Sequence, residues 1–491
     1  MRAIKGLLLA SAAGLAAMSS ASAADLPVKA KPVEYVKVCS LYGAGFFYVP
    51  GTDTCLKIGM YLRSDTFYGG AAGGYYLANA QARFTRTDTD LFGQRSRINL
   101  TTDWRTQTDY GVLRAYAAII AQNTSGGGAD AAATGVAGIL RAFIQFAGFT
   151  VGHAVSYFDF FNGADYGYLP SIWIGSTGVN GTNLMAYTWQ IGNGWSASID
   201  IEDPGQRGKR VVNASAAWIA TGTTLTTNQL GTWQPDIAGN IRVDQAWGSF
   251  QVMGALHNAS GGYYSGVGAA CTGGKVDCGH PGEKWGWAIG AGFRLNNFLQ
   301  PKDVLEFQID YAKGASGYVW SQTLYSPTAL FSGNNLAVGL STDGVFVSGS
   351  GVELTETWGF AAAYQHYWNA QWRTAVVGGY SEVNYSGTAK TFICGTDPRA
   401  ASVSTQLGFT AVVSGVCDPD VSWTSVSTRT AWNPHPTLEI GLDLIWYHVD
   451  TAFNGALVTL PTFGAHPAGN YAIQDQDRYL TVLRVQKTVL P

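Results

Sequence analysis

Apolar and polar residues alternate with a period of two along almost all of the chain. In TLEIGLDLIWYHV, the side chains of Leu438, Leu442 and Trp446 share one face, while Glu439 and Asp443 share the other. Because successive side chains of a β-strand point to opposite faces, this segment is predicted to be a strand with one apolar and one polar side. Many such strands without a long apolar run after the N-terminal segment are typical of a β-barrel in a membrane.

The pattern predicts an all-β fold, a transmembrane antiparallel β-barrel of about sixteen strands, an even number as in bacterial single-chain barrels. The predicted strands cover residues 56–67, 95–104, 112–121, 140–146, 150–157, 183–191, 195–201, 237–243, 250–256, 285–295, 304–312, 354–367, 373–385, 423–432, 438–449 and 478–489. Seven connections are short and carry Gly, Asn, Asp or Pro, while eight are long. This asymmetry predicts short periplasmic turns and long external loops.

The N-terminal residues have the features of a secretory signal peptide. Arg2 and Lys5 precede the apolar residues 6–18, and the small residues 21–23 offer a cleavage point. We therefore expect a signal peptide at 1–23, an N-terminal periplasmic lead at 24–53 and the barrel at 54–491. The expected location is the cell outer membrane of a Gram-negative bacterium.

The composition argues against an ordinary soluble domain. Charged residues make up 13% of the chain, about half the usual share of about 25%. The 30 basic and 33 acidic residues nearly balance, so nothing in the net charge predicts a nucleic-acid partner.

The six cysteines fall into three pairs that are close in sequence: Cys39 with Cys55, Cys271 with Cys278, and Cys394 with Cys417. Six cysteines allow fifteen pairings, so this assignment is a hypothesis based on proximity and an oxidising compartment. The first pair would tie the lead to the first strand, and the other two would close external loops. No pair has the two-residue spacing or the histidines of a zinc site, so no metal is expected.

The third external connection, residues 158–182, is the candidate for narrowing the lumen. A sixteen-strand barrel is wide enough for a water-filled channel, so a filter requires something that narrows it. The aromatic and aliphatic residues in FDFFNGADYGYLPSIWIGSTGVNGT suit packing against the inner wall. We expect Asp159 and Asp165 to line the pore from this loop. The alternative, which stays open, is an external loop with two solvated aspartates.

Arginines are concentrated on the inward side of the neighbouring first strands. With Ile98 and Leu100 facing outward, Arg95 and Arg97 face inward. A charge facing lipid at mid-membrane costs roughly 2–4 kcal/mol, which favours the inward position. The same parity gives the predicted basic wall of the pore: Arg63, Arg95, Arg97, Arg114, Arg141 and Arg484.

Acids occupy the inward positions of the other strands. The predicted lumen acids are Asp200, Glu202, Glu306, Asp310, Glu439 and Asp443. Positive and negative walls across a narrow aqueous gap would produce a transverse field that favours dipolar solutes over apolar ones. The alternative for each residue is a structural role, paired with a neighbour inside the barrel.

The sequence contains none of four common motifs of enzyme active sites. It contains no HExxH, no G-x-S-x-G, no P-loop and no dinucleotide fingerprint. We therefore predict that the protein is not an enzyme and that it uses no cofactor.

Two segments resemble a known family. CSLYGAGFFYVPGTDTCLKIGMYLR, residues 39–63, is similar to the opening of the general porins of alphaproteobacteria such as Brucella and the rhizobia, as is the preceding ADLPVKAKPVE. The closing YLTVLRVQK, residues 479–487, is also similar. One departure is Val489, which stands where family members look as if they end on an aromatic residue.

The resemblance implies a homotrimeric outer-membrane barrel. Small hydrophilic solutes and ions would diffuse passively through an eyelet between the third loop and a basic wall. The matching residues are Arg63, Arg95, Arg97, Arg114 and Arg141 on the wall, and Asp159 and Asp165 on the loop. Further expected partners are outer-membrane lipid, lipopolysaccharide and the barrel-assembly machinery. Trimer contacts are expected through outward apolar residues of the first and last strands and through the Gly-rich second loop, 123–138, which would reach over a neighbouring copy.

Two other classes of protein remain open at this stage. An outer-membrane barrel enzyme would need a nucleophile and a base at the rim, and a secreted β-rich adhesin would need a more polar surface. Heat-modifiable migration on a gel separates barrels from the adhesin, and ion conductance separates a pore from an enzyme.

Overall fold

The structure is a computed structural model, and its described part covers most of the barrel and its loops. It comprises residues 38–69, 82–83, 91–125, 134–169, 174–178, 181–208, 210–217, 219–220, 224–225, 228–271, 275–320, 328–462 and 467–490. The predicted signal peptide, residues 24–37 of the lead and the centre of the second loop lie outside the described residues.

Sixteen antiparallel strands of the described chain form one closed sheet. We label them β1 Thr54–Tyr68, β2 Phe92–Thr108, β3 Gly111–Thr124, β4 Thr134–Phe146, β5 Phe149–Ala154, β6 Thr182–Gly192, β7 Trp195–Glu202, β8 Asp236–Gln245, β9 Gly248–Asn258, β10 Trp285–Asn296, β11 Val304–Lys313, β12 Glu356–Tyr367, β13 Trp372–Asn384, β14 Val421–His435, β15 Leu438–Asp450 and β16 Gln476–Leu490. Each strand pairs with the next, and β16 pairs with β1 to close the ring. The predicted all-β barrel is confirmed.

The alternation of side chains separates an outer apolar face from an inner polar one. On β15, Leu442 and Leu444 are 42% and 47% exposed on the outside, while Asp443 between them is 0% exposed inside. Outward aromatic rings contact one another across neighbouring strands, as with Trp358 and Tyr380, whose centroids lie 5.2 Å apart at an interplanar angle of 49°. None of the helices in the described residues is long and apolar enough to cross a membrane.

The connections differ at the two ends of the barrel, as the sequence predicted. At the end with short turns, β6 and β7 are joined through Asn193 and Gly194, with φ of 51° and 80°. Positive φ at both positions belongs to a type I′ hairpin turn. A Cβ on Gly194 would lie 2.1 Å from the carbonyl oxygen of Asp244, so only glycine fits there.

The other end carries eight long connections, numbered in chain order. They are loop 1 (69–91), loop 2 (125–133), loop 3 (155–181), loop 4 (203–235), loop 5 (259–284), loop 6 (314–355), loop 7 (385–420) and loop 8 (451–475). Long loops lie outside the cell in outer-membrane barrels, so we refer to this end as external.

Loops 1, 6, 7 and 8 build an ordered external cap. One sheet contains Ala411–Ser414, Leu457–Leu460, Gly469–Ile473, Asn335–Gly339, Thr328–Ser332 and Ala82–Arg83. Other short elements are strands Phe47–Tyr48, Val211–Asn213, Ile219–Ala220, Thr224–Leu225, Gly344–Phe346 and Glu353–Leu354, helices Gly387–Ile393 and Val403–Leu407, and 3-10 turns Ser40–Tyr42, Gly163–Asp165, Pro204–Gln206, Lys275–Cys278 and Ser316–Tyr318. Leu336, Phe392 and Ile473 are buried in the core of the cap.

Three disulfides connect the predicted cysteine pairs, Cys39–Cys55, Cys271–Cys278 and Cys394–Cys417. The first holds the end of the lead inside the barrel mouth, where the ring of Phe46 packs under the guanidinium of Arg105 at 5.0 Å. The second closes a turn of loop 5, and the third closes loop 7.

An arginine placed at each of two adjacent positions of β7 tests the assignment of outward and inward faces. Ile199, at mid-strand, is 59% exposed on the outer face, and Ser198 faces the interior. We expect Ile199→Arg to lower the free energy of unfolding by roughly 2–4 kcal/mol, because the guanidinium enters lipid. Ser198→Arg at nearly the same depth is the matched control and is expected to cost much less. Urea unfolding in lipid vesicles measures both, and equal losses would contradict the assigned faces.

Candidate constriction site

Loop 3 leaves the rim and runs inside the barrel along the wall from β7 to β16. Its first residues contact β7, because the backbone N–H of Tyr157 donates to Asp200 at 3.2 Å. Further on, the N–H of Phe161 donates to Gln308 of β11 at 2.6 Å. The N–H of Tyr168 donates to Asp443 of β15 at 2.6 Å. The prediction of a loop folded inward is therefore confirmed.

The entrance of loop 3 is anchored by a buried ion pair. Arg207 of loop 4 donates to Asp159 of loop 3 and, at 3.1 Å, to Glu202 at the end of β7. Asp159 also accepts hydrogen bonds of 2.6 and 2.5 Å from the N–H and hydroxyl of Thr177, on the returning arm of the loop. The guanidinium of Arg207 lies 4.3 Å from the centre of the Tyr318 ring of loop 6. Loops 3, 4 and 6 thus meet at one arginine.

Arg207 keeps its charge in this setting. Burial lowers the pKa of its guanidinium, but the carboxylates of Asp159 and Glu202 raise the pKa by more, so the net shift is upward. A permanent positive charge inside the protein requires such partners, because desolvation of an unpaired charge is costly.

The tip of loop 3 is fixed by two tyrosines. The hydroxyl of Tyr166 donates to Glu306 of β11 at 2.5 Å, and that of Tyr168 donates to Glu439 of β15 at 2.8 Å. The Tyr168 ring lies 4.1 Å from the guanidinium of Arg484 on β16 and 5.5 Å from that of Arg429 on β14. Cation–π contacts of this kind favour a fixed ring position.

Two glycines let the loop approach the wall closely. A Cβ on Gly441 of β15 would lie 1.9 Å from the hydroxyl oxygen of Tyr168. A Cβ on Gly292 of β10 would lie 2.4 Å from a ring carbon of Phe160. Side chains larger than glycine at these inward positions would displace the loop.

Asp165 is the exposed acid of loop 3. It lies in the 3-10 turn Gly163–Asp165 and accepts a hydrogen bond of 3.1 Å from the amide of Asn162. Partial burial raises the pKa of its carboxyl, against the opposing charges of Arg294 and Arg429. That Asp165 lines the pore stays a prediction.

The arginines of the predicted basic wall all point into the barrel, but they form two groups. Arg95 and Arg484 are buried and both donate to Asp65, at 2.6 Å each, beneath the tip of loop 3. The half-buried group lies on β1–β4 and consists of Arg63, Arg97, Arg114 and Arg141, of which Arg141 donates a hydrogen bond to the described part of loop 3.

Five of the six predicted lumen acids are buried, and they do not face the water of the pore as predicted. Asp200, Glu202, Glu306, Asp310 and Asp443 point inward but are at most 4% exposed. They lie behind loop 3 or loop 4 and accept hydrogen bonds from Tyr157, Arg207, Tyr166, Gln308 and Tyr168, respectively. Asp159 is likewise enclosed by its partners, so the expectation that it lines the pore is wrong. Glu439 alone of the predicted lumen acids is half-buried, beside Arg373.

Several residues of the site were missed from the sequence. Arg429 follows the same parity as Ser425 and Ser427 on β14, so the rule that found the other arginines also applies to it. Asp103, which pairs with Arg105 and Arg114, was overlooked in the same way. Arg207 gave no such signal because it lies in a loop without periodicity.

One group of possible metal ligands lies away from the lumen. His448, Asp450 and Asp475 each bring one ligand atom within 4.8 Å of the others at the external rim. Both ring nitrogens of His448 already lie against carboxylates, at 3.0 Å from Asp477 and 3.2 Å from Asp450. Hydrogen bonding thus accounts for this cluster.

The fold and the inward loop define a membrane-spanning β-barrel with a constricted interior. Residues 25–481 match the family described as Porin subfamily, and the chain belongs to this family. This membership and the barrel place the protein in the outer membrane of a Gram-negative bacterium.

Relatives and a solved structure agree with this assignment. The chain is 34% identical over 257 residues to Porin Omp2b of Brucella suis biovar 1 (strain 1330), and equally to Porin Omp2b of Brucella melitensis biotype 1. The match covers 50% of this chain and 64% of each relative. The outer membrane channel DcaP of Acinetobacter baumannii has the same fold, with a TM-score of 0.57 at 13% identity over 90% of this chain and 99% of DcaP.

Removal of Arg207 tests the anchor of loop 3. We expect Arg207→Gln to destabilise the packed loop by about 3–5 kcal/mol, because Asp159 and Glu202 lose their buried partner. Single-channel records should then show frequent current steps. The steps should diminish at acidic pH, where protonation neutralises the two acids. The matched control is Arg399→Gln, which removes a partly exposed pair with Asp397 in loop 7. Quiet currents in Arg207→Gln would show that the loop is held without this arginine.

Proposed function

We propose that the protein is a general-diffusion pore, a water-filled channel for the passive passage of small hydrophilic solutes and ions, and not an enzyme. The observation that carries the proposal is the third loop held inside a closed sixteen-strand barrel. A barrel of this size has an interior wide enough for water, and the loop reduces its cross-section at one level. Charged side chains at that level act as the filter.

The proposed filter combines the half-buried arginines with the exposed acid of loop 3. Arg63, Arg97, Arg114 and Arg141 line one side, and Asp165 lies on the loop. The guanidinium of Arg141 donates to the carbonyl oxygen of Gly178 in loop 3 at 2.9 Å, which fixes the loop against this side. Fixed charges at a narrow point select solutes by size and charge without any chemical step.

We further propose that the pore is a homotrimer that contacts its copies through β1–β3. Polar side chains face outward there at depths where lipid is expected: Ser64 and Ser96 are register partners, and Gln94 donates to Thr66 at 3.5 Å. They lie between the outward rings of Phe92 and Trp104 on β2. A groove of about 800 Å³ runs over this face. A second copy would cover these hydroxyls, which lipid tails cannot solvate.

The remaining outer face fits lipid. The outward residues of β9–β12 are apolar or aromatic in their central parts, as with Val252, Ile289 and Ile309. Outer-membrane lipid, lipopolysaccharide near the external rim and the barrel-assembly machinery are the further partners that we propose from the fold.

Ion conductance tests the pore. Purified, refolded protein in a planar bilayer is expected to give current steps whose size rises in proportion to the salt concentration, because ions move through bulk-like water. Protein that inserts and shows heat-modifiable migration but carries no current would contradict the proposal and favour a closed barrel or a barrel enzyme.

Tryptophan on the proposed contact face tests the trimer. We expect Ser64→Trp with Ser96→Trp to yield monomers, because the rings fill the groove that a second copy would occupy, whereas lipid accepts them. Ala362→Trp, at an outward position of β12, is the matched control and should leave the trimer intact. Unheated gel electrophoresis and native mass spectrometry report the state. Trimers in the double variant would place the interface on another face.

A further inference from the structure

Inward bases form a vertical series on strands β1–β4. Arg63 and Arg97 are register partners on β1 and β2. In the same row, Arg63 also pairs with Gln486 of β16, and Arg97 pairs with Gln122 of β3. Arg105 and Arg114 are register partners eight positions lower, at the periplasmic end. At about 3.4 Å per residue, the two rows are about 27 Å apart.

Arg141 lies halfway between these two rows. Its register partner Ala118 pairs with Thr101, which is four residues from Arg97 and four from Arg105. Lys57 adds a base opposite Asp103, between Arg141 and the lower row. Inward bases therefore follow one another at every few residues along the height of the barrel. We name the set Lys57, Arg63, Arg97, Arg105, Arg114 and Arg141 the basic track.

The hydrogen bonds of the basic track hold the bases in position, and among the described residues paired in its rows one carboxylate, Asp103, accompanies the six bases. Arg63 donates to the amide oxygen of Gln486 at 2.8 Å, and Arg97 donates to that of Gln122 at 2.6 and 2.8 Å. Amide oxygens carry no net charge. In the lower row, Arg105 and Arg114 share the single carboxylate of Asp103, which leaves one positive charge in excess.

Aromatic rings support the same guanidinium groups. Arg63 lies 4.6 Å from the ring centre of Tyr61, and Arg114 lies 5.1 Å from that of Tyr116. The Tyr116 ring stacks on Phe143 of β4 with centroids 5.3 Å apart. Rings beneath guanidinium planes hold these groups in fixed positions on the wall.

The inward acids of β11 and β15 are covered by loop 3. Glu306, Asp310 and Asp443 are buried there; Glu306 and Asp443 accept hydrogen bonds from the loop, and Asp310 accepts one from Gln308 of its own strand. Two like charges placed opposite each other on neighbouring strands, as with Arg63 and Arg97, destabilise a sheet. A functional role explains why such a pair is present here.

We propose that the basic track makes this pore selective for negatively charged solutes, small carboxylates and phosphates in particular. The inference rests on the proposed function and adds its solute class. Guanidinium groups bind carboxylate and phosphate oxygens through two parallel hydrogen bonds. A solute that leaves one row meets the next base within a few residues, so the local concentration of anions is raised along the whole pore.

The reversal potential across a potassium chloride gradient tests the selectivity. We expect chloride to pass about threefold or more readily than potassium. Arg63→Gln with Arg97→Gln should reduce this ratio at least about twofold, because glutamine keeps a polar side chain and removes the charge. The matched control, Lys313→Gln with Lys390→Gln, removes two positive charges outside the lumen. It should leave the ratio unchanged.

Three outcomes would overturn the proposal: a potassium-selective wild type, an equal permeability of both ions, or a ratio that the arginine variant leaves unchanged. An inserted protein without conductance would instead contradict the proposed function. Succinate is the second probe. Added to one side, it should reduce the chloride current of the wild type and affect the arginine variant less. A chloride current that succinate leaves unchanged in the wild type would overturn the carboxylate assignment.

Discussion

Backbone polar groups inside a lipid bilayer must be bonded within the protein, and the rest of this structure depends on that constraint. The pairing of β16 with β1 meets it by removing both edges of the sheet. Closure then fixes two faces on every strand. The outer face becomes apolar and aromatic, and the inner face is the only place where charged side chains avoid lipid. The interior is therefore both the polar core and the site.

Loop 3 divides the charged residues of the interior into two groups. One group holds the loop in place, and the other remains accessible to solutes. On the wall from β7 to β15, acids are used as hydrogen-bond acceptors for the loop, as with Asp443 and Tyr168. At the tip, Asp65 holds Arg95 and Arg484 in a buried cluster. Arg207 joins loops 3, 4 and 6 at the entrance. The bases of the basic track on β1–β4 remain half-buried, so the loop that narrows the pore also determines the sign of its accessible charge.

The barrel could be predicted from the sequence because a two-residue period over ten or more residues is a strong local signal, as in β15. The inward position of the arginines followed from the same parity. Burial of Asp159 could not be predicted, since its partner Arg207 lies 48 residues away in a loop without a repeating pattern. The cap was missed because strands such as Leu457–Leu460 are too short to show a period. Local sequence patterns predict the strands and the faces of their side chains. They do not predict contacts between loops, because those contacts form only in the assembled barrel.

The central claim is that loop 3 is fixed inside the barrel against β7–β16. Electron cryomicroscopy of the protein in lipid nanodiscs tests it most directly, because a map shows the loop in a bilayer. The account predicts continuous density for Tyr168 between Arg429 and Arg484, and for Asp159 against Arg207. Density for loop 3 on the external surface, with an empty lumen beside β15, would contradict it.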